Sequence, residues 1–127
     1  MSMELGELDQ KLDIELLAEA PEQVVARMPV AGNRQPHGLL HGGASLALGE
    51  FLGSWAASLH AKGLGKVAVG VDVNATHHRA VRDGYVTGTA VPLHLGSRVT
   101  SHQVTIRDDA GHLVNTVRIT NLLVDPD

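Results

Sequence analysis

The sequence predicts an α+β fold in which a single long helix packs against an antiparallel sheet. Residues 40–61 have the length and composition of one helix, and strand patterns dominate the chain that follows. The connectors between the late strands are too short for crossover helices, so these strands are expected to pair antiparallel. The expected element order is therefore β-β-α-β-β-β-β.

Six strands are expected in all. Two precede the helix, at 12–18 and 24–30, with a turn signal around Pro21 between them. The strand after the helix shows four alternating valines, at Val67, Val69, Val71 and Val73. The rest of the chain is expected to form a strand, a turn and two hairpin-linked strands, at 85–91, 92–96, 97–107 and 112–124. One helix cannot cover both faces and both edges of such a sheet, so a homodimer or homotetramer is expected.

The predicted helix carries one stripe of bulky and one of small side chains. The bulky residues are Leu48, Phe51, Leu52, Trp55 and Leu59, and the small ones are Gly42, Ser45, Gly49, Gly53 and Ala56. A glycine inside a helix costs about 1 kcal/mol relative to alanine. Gly49 and Gly53 therefore predict close contact between the helix backbone and another element.

Composition limits the classes of function. A chain of 127 residues and 13.4 kDa is expected to form one domain, 1–127, and its net charge of −4 gives no general attraction for nucleic acid. The absence of cysteine excludes disulfides and cysteine nucleophiles. The N-terminus shows no basic region followed by an apolar one, so a cytoplasmic protein without a signal peptide is expected.

Glu50 is the only ionisable residue between Gly42 and Ser58. A carboxylate among apolar residues is costly unless it is paired, hydrogen-bonded or shifted in pKa. Ser54 lies one helical turn beyond it on the same face. We interpret the segment as an active-site helix; the alternative is that Glu50 lies on the solvent face. A membrane span is rejected because the run has a central Glu and four glycines.

Three motifs resemble one enzyme family. The segment "NRQPHGLLHGGASLALGEFLGS" resembles the signature of hotdog-fold acyl-CoA thioesterases, in the branch with the helix-glutamate type of 4-hydroxybenzoyl-CoA thioesterase and the phenylacetate-pathway enzymes. "VDVNATHHRAVRDG" and "PLHLGSR" are similar to the 1,4-dihydroxy-2-naphthoyl-CoA thioesterases of menaquinone synthesis, which belong to the same branch. The resemblance covers roughly residues 22–124 and implies a hotdog fold, in which a curved antiparallel sheet wraps one long helix.

The resemblance also implies roles for individual residues. Glu50 would be the nucleophile or general base, and Ser54 would hold the attacking water or the carboxylate. Gln35 and His41 would orient the thioester, and the Gly42 N–H would donate to its oxygen. Because Glu50 and Ser54 would act with the other three residues of a neighbouring subunit, the site would exist only in a dimer.

Physical chemistry supports these roles, but each residue also has a simpler explanation. Hydrolysis builds negative charge on the thioester oxygen, and a helix N-terminus offers free N–H groups and a positive dipole end. Alternatively, Gly42 permits a tight entry to the helix, Gln35 bonds a loop backbone, His41 caps the helix and Ser54 only packs.

Coenzyme A carries phosphates, which need local cations. Arg79, Arg82 and Arg98 are the candidates, with Ser97 adding a hydrogen bond; the alternative is a solvated charged loop. His77 matches a family position near the thioester. Neither a metal nor a cofactor is expected, because adjacent His77 and His78 would point to opposite faces of a strand and no HExxH motif occurs.

The chain departs from its relatives in three places. Its N-terminal segment lacks the helical stretch that many relatives have before the first strand. His37 stands where they tend to carry an aromatic residue, and Trp55 stands where they carry a smaller one. Trp55 is expected either to line the acyl pocket or to belong to the core.

The expected activity is hydrolysis of an aromatic or short acyl-CoA, with the dihydroxynaphthoyl ester as the leading candidate. Two alternatives remain open at this point. A hydratase or dehydratase of the same fold would ordinarily need a differently placed acid–base pair. A non-catalytic protein that binds acyl-CoA would show tight binding without turnover.

Overall fold

The computed structural model describes residues 3–127, in which one long helix packs against a six-stranded antiparallel sheet. The elements in chain order are α1 (Glu7–Lys11), β1 (Glu15–Ala20), β2 (Gln23–Pro29), α2 (Gly42–Gly63), β3 (Val67–His77), β4 (Tyr85–Leu95), β5 (Val99–Asp108) and β6 (Leu113–Val124). The strands lie in the order β1-β2-β4-β5-β6-β3, and every neighbouring pair is antiparallel. The predicted layout is confirmed. In the described part of the chain, no helix is both long and apolar enough to cross a bilayer.

Two elements differ from the prediction. The short helix α1 precedes the first strand, where no helix was expected; the Asp9 carboxylate accepts a 2.8 Å hydrogen bond from the Gly6 N–H at its start. Residues 92–95 continue β4 instead of forming a turn. A register shift between Pro92 and His94 accommodates the proline, which has no N–H to give to the ladder.

The core lies between α2 and the inner face of the sheet. Its largest fully buried side chains are Met28, Leu48, Leu52, Ile106 and Ile119. A Cβ added to Gly49 would lie 2.6 Å from Val117 Cγ1, and one added to Gly53 would overlap the Ile119 side chain even more closely. The predicted close contact at these two glycines is therefore confirmed, and the partner is β6.

A buried polar cluster lies beneath the second half of α2. Thr100, His102 and Asn121 are fully buried, and the polar side-chain atoms of all three lack hydrogen-bond partners within residues 3–127. Burial lowers the pKa of the His102 imidazole to about 4, and nearby His60 acts in the same direction. His102 is therefore neutral at pH 7.

Replacing Gly53 with alanine should destabilise the protein. The new methyl must displace Ile119 or the helix itself, and overpacking of this kind costs about 1–3 kcal/mol, against about 1 kcal/mol of gained helix propensity. Gly63→Ala is the matched control, because a Cβ there meets nothing within 4 Å. Urea unfolding should show a lower midpoint for Gly53→Ala only; equal midpoints for the two variants would show that the glycine contact is unimportant.

His102 should make stability depend on pH. Its pKa is about 4 in the folded protein and about 6.5 when unfolded, so the unfolded chain alone takes up a proton as pH falls through this window. The unfolding free energy is therefore unaffected by protonation of His102 above about pH 6.5, and it decreases progressively as the pH falls towards 4. Between pH 7.5 and 5 the loss is about 2 kcal/mol. In urea unfolding at both pH values, His102→Leu should remove that part of the pH dependence, and an unchanged dependence would contradict the assignment.

Candidate active site

The first turn of α2 leaves one backbone donor free. His41 is the N-cap, and its Nδ1 accepts a 2.8 Å hydrogen bond from the Gly43 N–H. Its carbonyl oxygen accepts from the N–H groups of Ala44 and Ser45, at 3.0 and 3.3 Å. The Gly42 N–H donates to no atom of residues 3–127. A helix N-terminus carries a partial positive charge, so Gly42 can donate to an anionic or carbonyl oxygen.

The cap also determines which nitrogen carries the proton in the neutral His41 ring. A backbone N–H can only donate, so Nδ1 must carry a lone pair and the neutral ring holds its proton on Nε2. His41 is exposed, and its Nε2–H is free to donate elsewhere. Capping the helix, the simpler of its two expected roles, is thus present in the structure.

His77, the last residue of β3, lies against Gly42. A Cβ on Gly42 would be 3.0 Å from His77 Nε2 and 3.1 Å from its Cε1. A side chain at Gly42 would therefore have to push the His77 ring aside. The Nδ1 of His77 contacts the side-chain amide nitrogen of Asn115 on β6.

Gln35 completes this end of the helix. Its side-chain oxygen accepts a hydrogen bond from the His37 N–H, which is the loop contact expected as its simpler role. It lines a pocket of about 380 Å³ together with Gly42, His77, Arg79 and Asn115. We call this the oxyanion pocket.

Glu50 and Ser54 lie in a different pocket. This cavity of about 680 Å³, which we call the carboxylate pocket, is also lined by Phe51, Trp55 and Lys62. Within a single chain Glu50 is exposed, contrary to the expectation of apolar surroundings, because its face of α2 points away from the sheet. Ser54 is half-buried.

The two pockets have no residue in common. Glu50 lies eight positions after Gly42 along α2, a rise of about 12 Å. One chain therefore brings together Gln35, Gly42 and His77, and separately Glu50 and Ser54, but it does not bring the two groups to each other. His41 caps the helix beside the first group.

Trp55 meets both expectations in part. Its ring packs against the core and lies 5.4 Å from the Phe51 ring, while it also lines the carboxylate pocket. Its indole N–H donates to the carboxylate of Glu19 on β1. The side chain is thereby held in one orientation along the pocket wall.

The residues expected to bind phosphate lie at opposite ends of α2. Arg79 lines the oxyanion pocket, with its Nε 3.9 Å from an Asp108 oxygen, and the exposed Arg82 follows in the same loop. Ser97 and Arg98 are exposed in the β4–β5 turn, where the Ser97 carbonyl accepts from Lys66. A single chain does not join the two pairs.

Sequence reasoning missed Asn115 and Lys62. Asn115 reaches the oxyanion pocket because β3 and β6 pair in the register that places it opposite His77. No local pattern carries that signal, since the two residues are 38 positions apart. Lys62 could have been found, because it continues the helical spacing of Glu50, Ser54 and Ser58.

Comparison with known proteins agrees with this geometry. The family described as the thioesterase superfamily matches residues 37–115. The chain is 44% identical over 114 residues to the 1,4-dihydroxy-2-naphthoyl-CoA hydrolase of Escherichia coli, covering 89% of this chain and 83% of that protein. It is 40% identical over 121 residues to the proofreading thioesterase EntH of Cronobacter turicensis, covering 94% and 88%.

A solved structure leads to the same family. The thioesterase of Haemophilus influenzae superimposes with a TM-score of 0.87 at 40% identity, covering 93% of this chain and 82% of that one. The expected fold, family and class of activity are thereby confirmed. The chain belongs to the thioesterase superfamily and is a thioester hydrolase of the hotdog fold.

Proposed function

We propose that this protein hydrolyses an acyl-CoA to the free acid and CoA, with Glu50 as nucleophile or general base. Water supplies the oxygen that bonds to the acyl carbon, the carbon–sulfur bond breaks, and a proton from water ends on the thiol of CoA. The Gly42 N–H would polarise the carbonyl on which negative charge develops. The free state of this N–H in an otherwise satisfied first turn is the observation that carries the proposal.

The complete site would form between two subunits. The separation of the two pockets supports this, because neither pocket alone holds both an attacking group and an oxyanion donor. Glu50 and Ser54 of one subunit would face Gln35, His41 and Gly42 of the partner subunit. A dimer would also bring together phosphate-binding candidates from opposite ends of α2, Arg79 and Arg82 with Ser97 and Arg98.

The edge of the sheet offers a surface for such a dimer. β3 is an edge strand of 11 residues that pairs only with β6 among the described strands. Val67, Val69 and Val71 on it are 36%, 48% and 52% exposed, as expected for a strand that a second copy covers. A homodimer follows from this proposal, and the homotetramer expected as the alternative would be built from two such dimers.

An aromatic acyl group is the proposed substrate class. Phe51 and Trp55 give the carboxylate pocket aromatic walls beside Glu50 and Ser54, and its volume of about 680 Å³ is within the range that holds a bicyclic ring. The name of the Escherichia coli relative, 1,4-dihydroxy-2-naphthoyl-CoA hydrolase, supports 1,4-dihydroxy-2-naphthoyl-CoA as the leading candidate. Its hydrolysis would place the protein in menaquinone synthesis.

Glu50→Gln should abolish turnover and leave substrate binding intact. Glutamine keeps the size of the side chain but can neither attack nor accept a proton, so we expect kcat to fall more than 100-fold with CoA-ester binding unchanged. Thiol release from naphthoyl, benzoyl, phenylacetyl and straight-chain acyl-CoAs measures both the loss and the acyl preference.

The matched control for this experiment is Glu22→Gln, which changes an exposed carboxylate in the β1–β2 turn. A Glu50→Gln rate within tenfold of wild type, about 1.4 kcal/mol of barrier, would remove Glu50 from the mechanism. Tight binding by a wild-type protein that turns over no thioester would favour the non-catalytic alternative.

Mixed dimers should test the shared site. Glu50→Gln and Gln35→Ala chains are each expected to be inactive, but a heterodimer of the two contains one site with both residues intact. Subunit exchange should therefore restore part of the activity. Mixing Glu50→Gln with Ser54→Ala is the control, because both changes then affect the same half and leave no intact site. With exchange verified by mass spectrometry, equal inactivity of both mixtures would count against a composite site.

A further inference from the structure

Asn115 is a buried amide in the wall of the oxyanion pocket. It is 1% exposed and pairs with His77 across the β3–β6 ladder. Its side-chain nitrogen contacts His77 Nδ1, and its side-chain oxygen has no hydrogen-bond partner in the described chain. A buried amide with an unpaired oxygen destabilises a fold, so Asn115 is poorly explained by stability alone.

The contact determines where His77 holds its proton. An amide nitrogen only donates, so Nδ1 of the neutral ring must accept and the proton must lie on Nε2. Nε2 is the end of the ring that faces Gly42, 3.0 Å from the position of a Cβ there. His77 itself is exposed, so a ligand can reach this N–H.

The neighbouring histidine does not compete for this role. His78 also lines the oxyanion pocket, but its Nε2 lies 2.9 Å from the Thr116 hydroxyl and is engaged there. Gly42 and His77 therefore both line the oxyanion pocket, and each offers an N–H that no described residue accepts, one from the backbone and one from the ring.

We propose that Asn115 is a positioning residue that holds His77 as the Nε2–H tautomer, so that this N–H and the Gly42 N–H donate together to the thioester carbonyl oxygen. This inference rests on the proposed hydrolysis for the donor's role, but the tautomer itself does not depend on it. Two donors on one developing oxyanion are each expected to be worth about 10²-fold or more in rate.

The tautomer is measured first, by long-range nitrogen–proton NMR on the wild-type protein at pH 8. The His77 signals are assigned among the eight histidines by their loss in His77→Gln. We expect Nε2 to carry the proton and Nδ1 to resonate as an unprotonated nitrogen. A wild-type His77 with its proton on Nδ1 would overturn the proposal without any assay of activity.

Asn115→Asp then tests the consequence. A carboxylate only accepts, so it should move the neutral ring's proton to Nδ1 and remove the donor facing Gly42. Hydrolysis relative to wild type should fall about 100-fold at high pH, mainly in kcat. It should recover as pH falls through the His77 pKa measured by NMR in that variant, because the doubly protonated ring regains its Nε2–H.

Asn121→Asp is the matched control. It places the same carboxylate at another fully buried asparagine of β6, away from both pockets. We expect the hydrolysis rate of this variant, relative to wild type, to stay the same as the pH falls and His77 becomes protonated. If Asn115→Asp folds, shifts the proton to Nδ1 and still hydrolyses at the wild-type rate, the donor role is wrong.

If Asn115→Asp fails to fold, Asn115→Val replaces it, since valine removes the donor without adding a charge. The ring should then show a mixture of tautomers and a partial loss of kcat; a wild-type tautomer and rate would overturn the proposal. A wild-type protein that hydrolyses no acyl-CoA would contradict the proposed function and the donor's role, while the NMR result would still decide the tautomer.

Discussion

Contact between the backbone of α2 and the side chains of β6 fixes the position of both pockets. The helix lies so deep that only glycine fits at Gly49 and Gly53, opposite Val117 and Ile119. A rotation of the helix about its axis would bring larger side chains against Val117 and Ile119, so close packing at these two positions favours the observed orientation. Glu50 is consequently held on the outer face, and the start of the helix is held where the end of β3 meets it.

The first turn of α2 leaves a single backbone donor without a partner in the described chain. A helix begins with four N–H groups that lack intrahelical partners, and all four could bind water or ions. The His41 ring and carbonyl oxygen accept from Gly43 and Ala44, and the His41 N–H donates to the Asn33 carbonyl, so that only the Gly42 N–H remains among the described residues. The positive end of the helix dipole therefore acts through a single, well-placed donor.

Sequence patterns predicted the elements whose signal is local. The alternating valines of β3 and the apolar run of α2 can be recognised from the sequence alone. The isolated Glu50, with Ser54 one turn away, indicates the candidate site. The continuation of β4 through Pro92 depends on a register shift with β5, which a sequence does not display. The separation of Gly42 from Glu50 into two pockets depends likewise on how the helix faces the sheet.

Asn115 shows why the last part of the site could not be predicted. Its neighbours in sequence mark it only as one position of a strand, next to the apolar Val114. Its position in the site depends on the β3–β6 pairing, which places it opposite His77. It depends also on α2, which brings Gly42 close to the other end of the His77 ring. By contrast, Asn121 on the same strand is buried with neither side-chain atom paired.

Because Glu50 is exposed in a single chain, the protein does not bear the free-energy cost of burying an ionised carboxylate, which its apolar neighbours in sequence had suggested. A hydrated carboxylate is stable on the surface of a monomer, whereas the same group buried alone would oppose folding. In the proposed dimer, the N-terminus of the partner's helix would displace water from the Glu50 carboxylate. The carboxylate would then lose its hydration only where hydrogen-bond donors and a substrate replace it. Folding and activation of the carboxylate would then be separate steps, and only the second would require assembly.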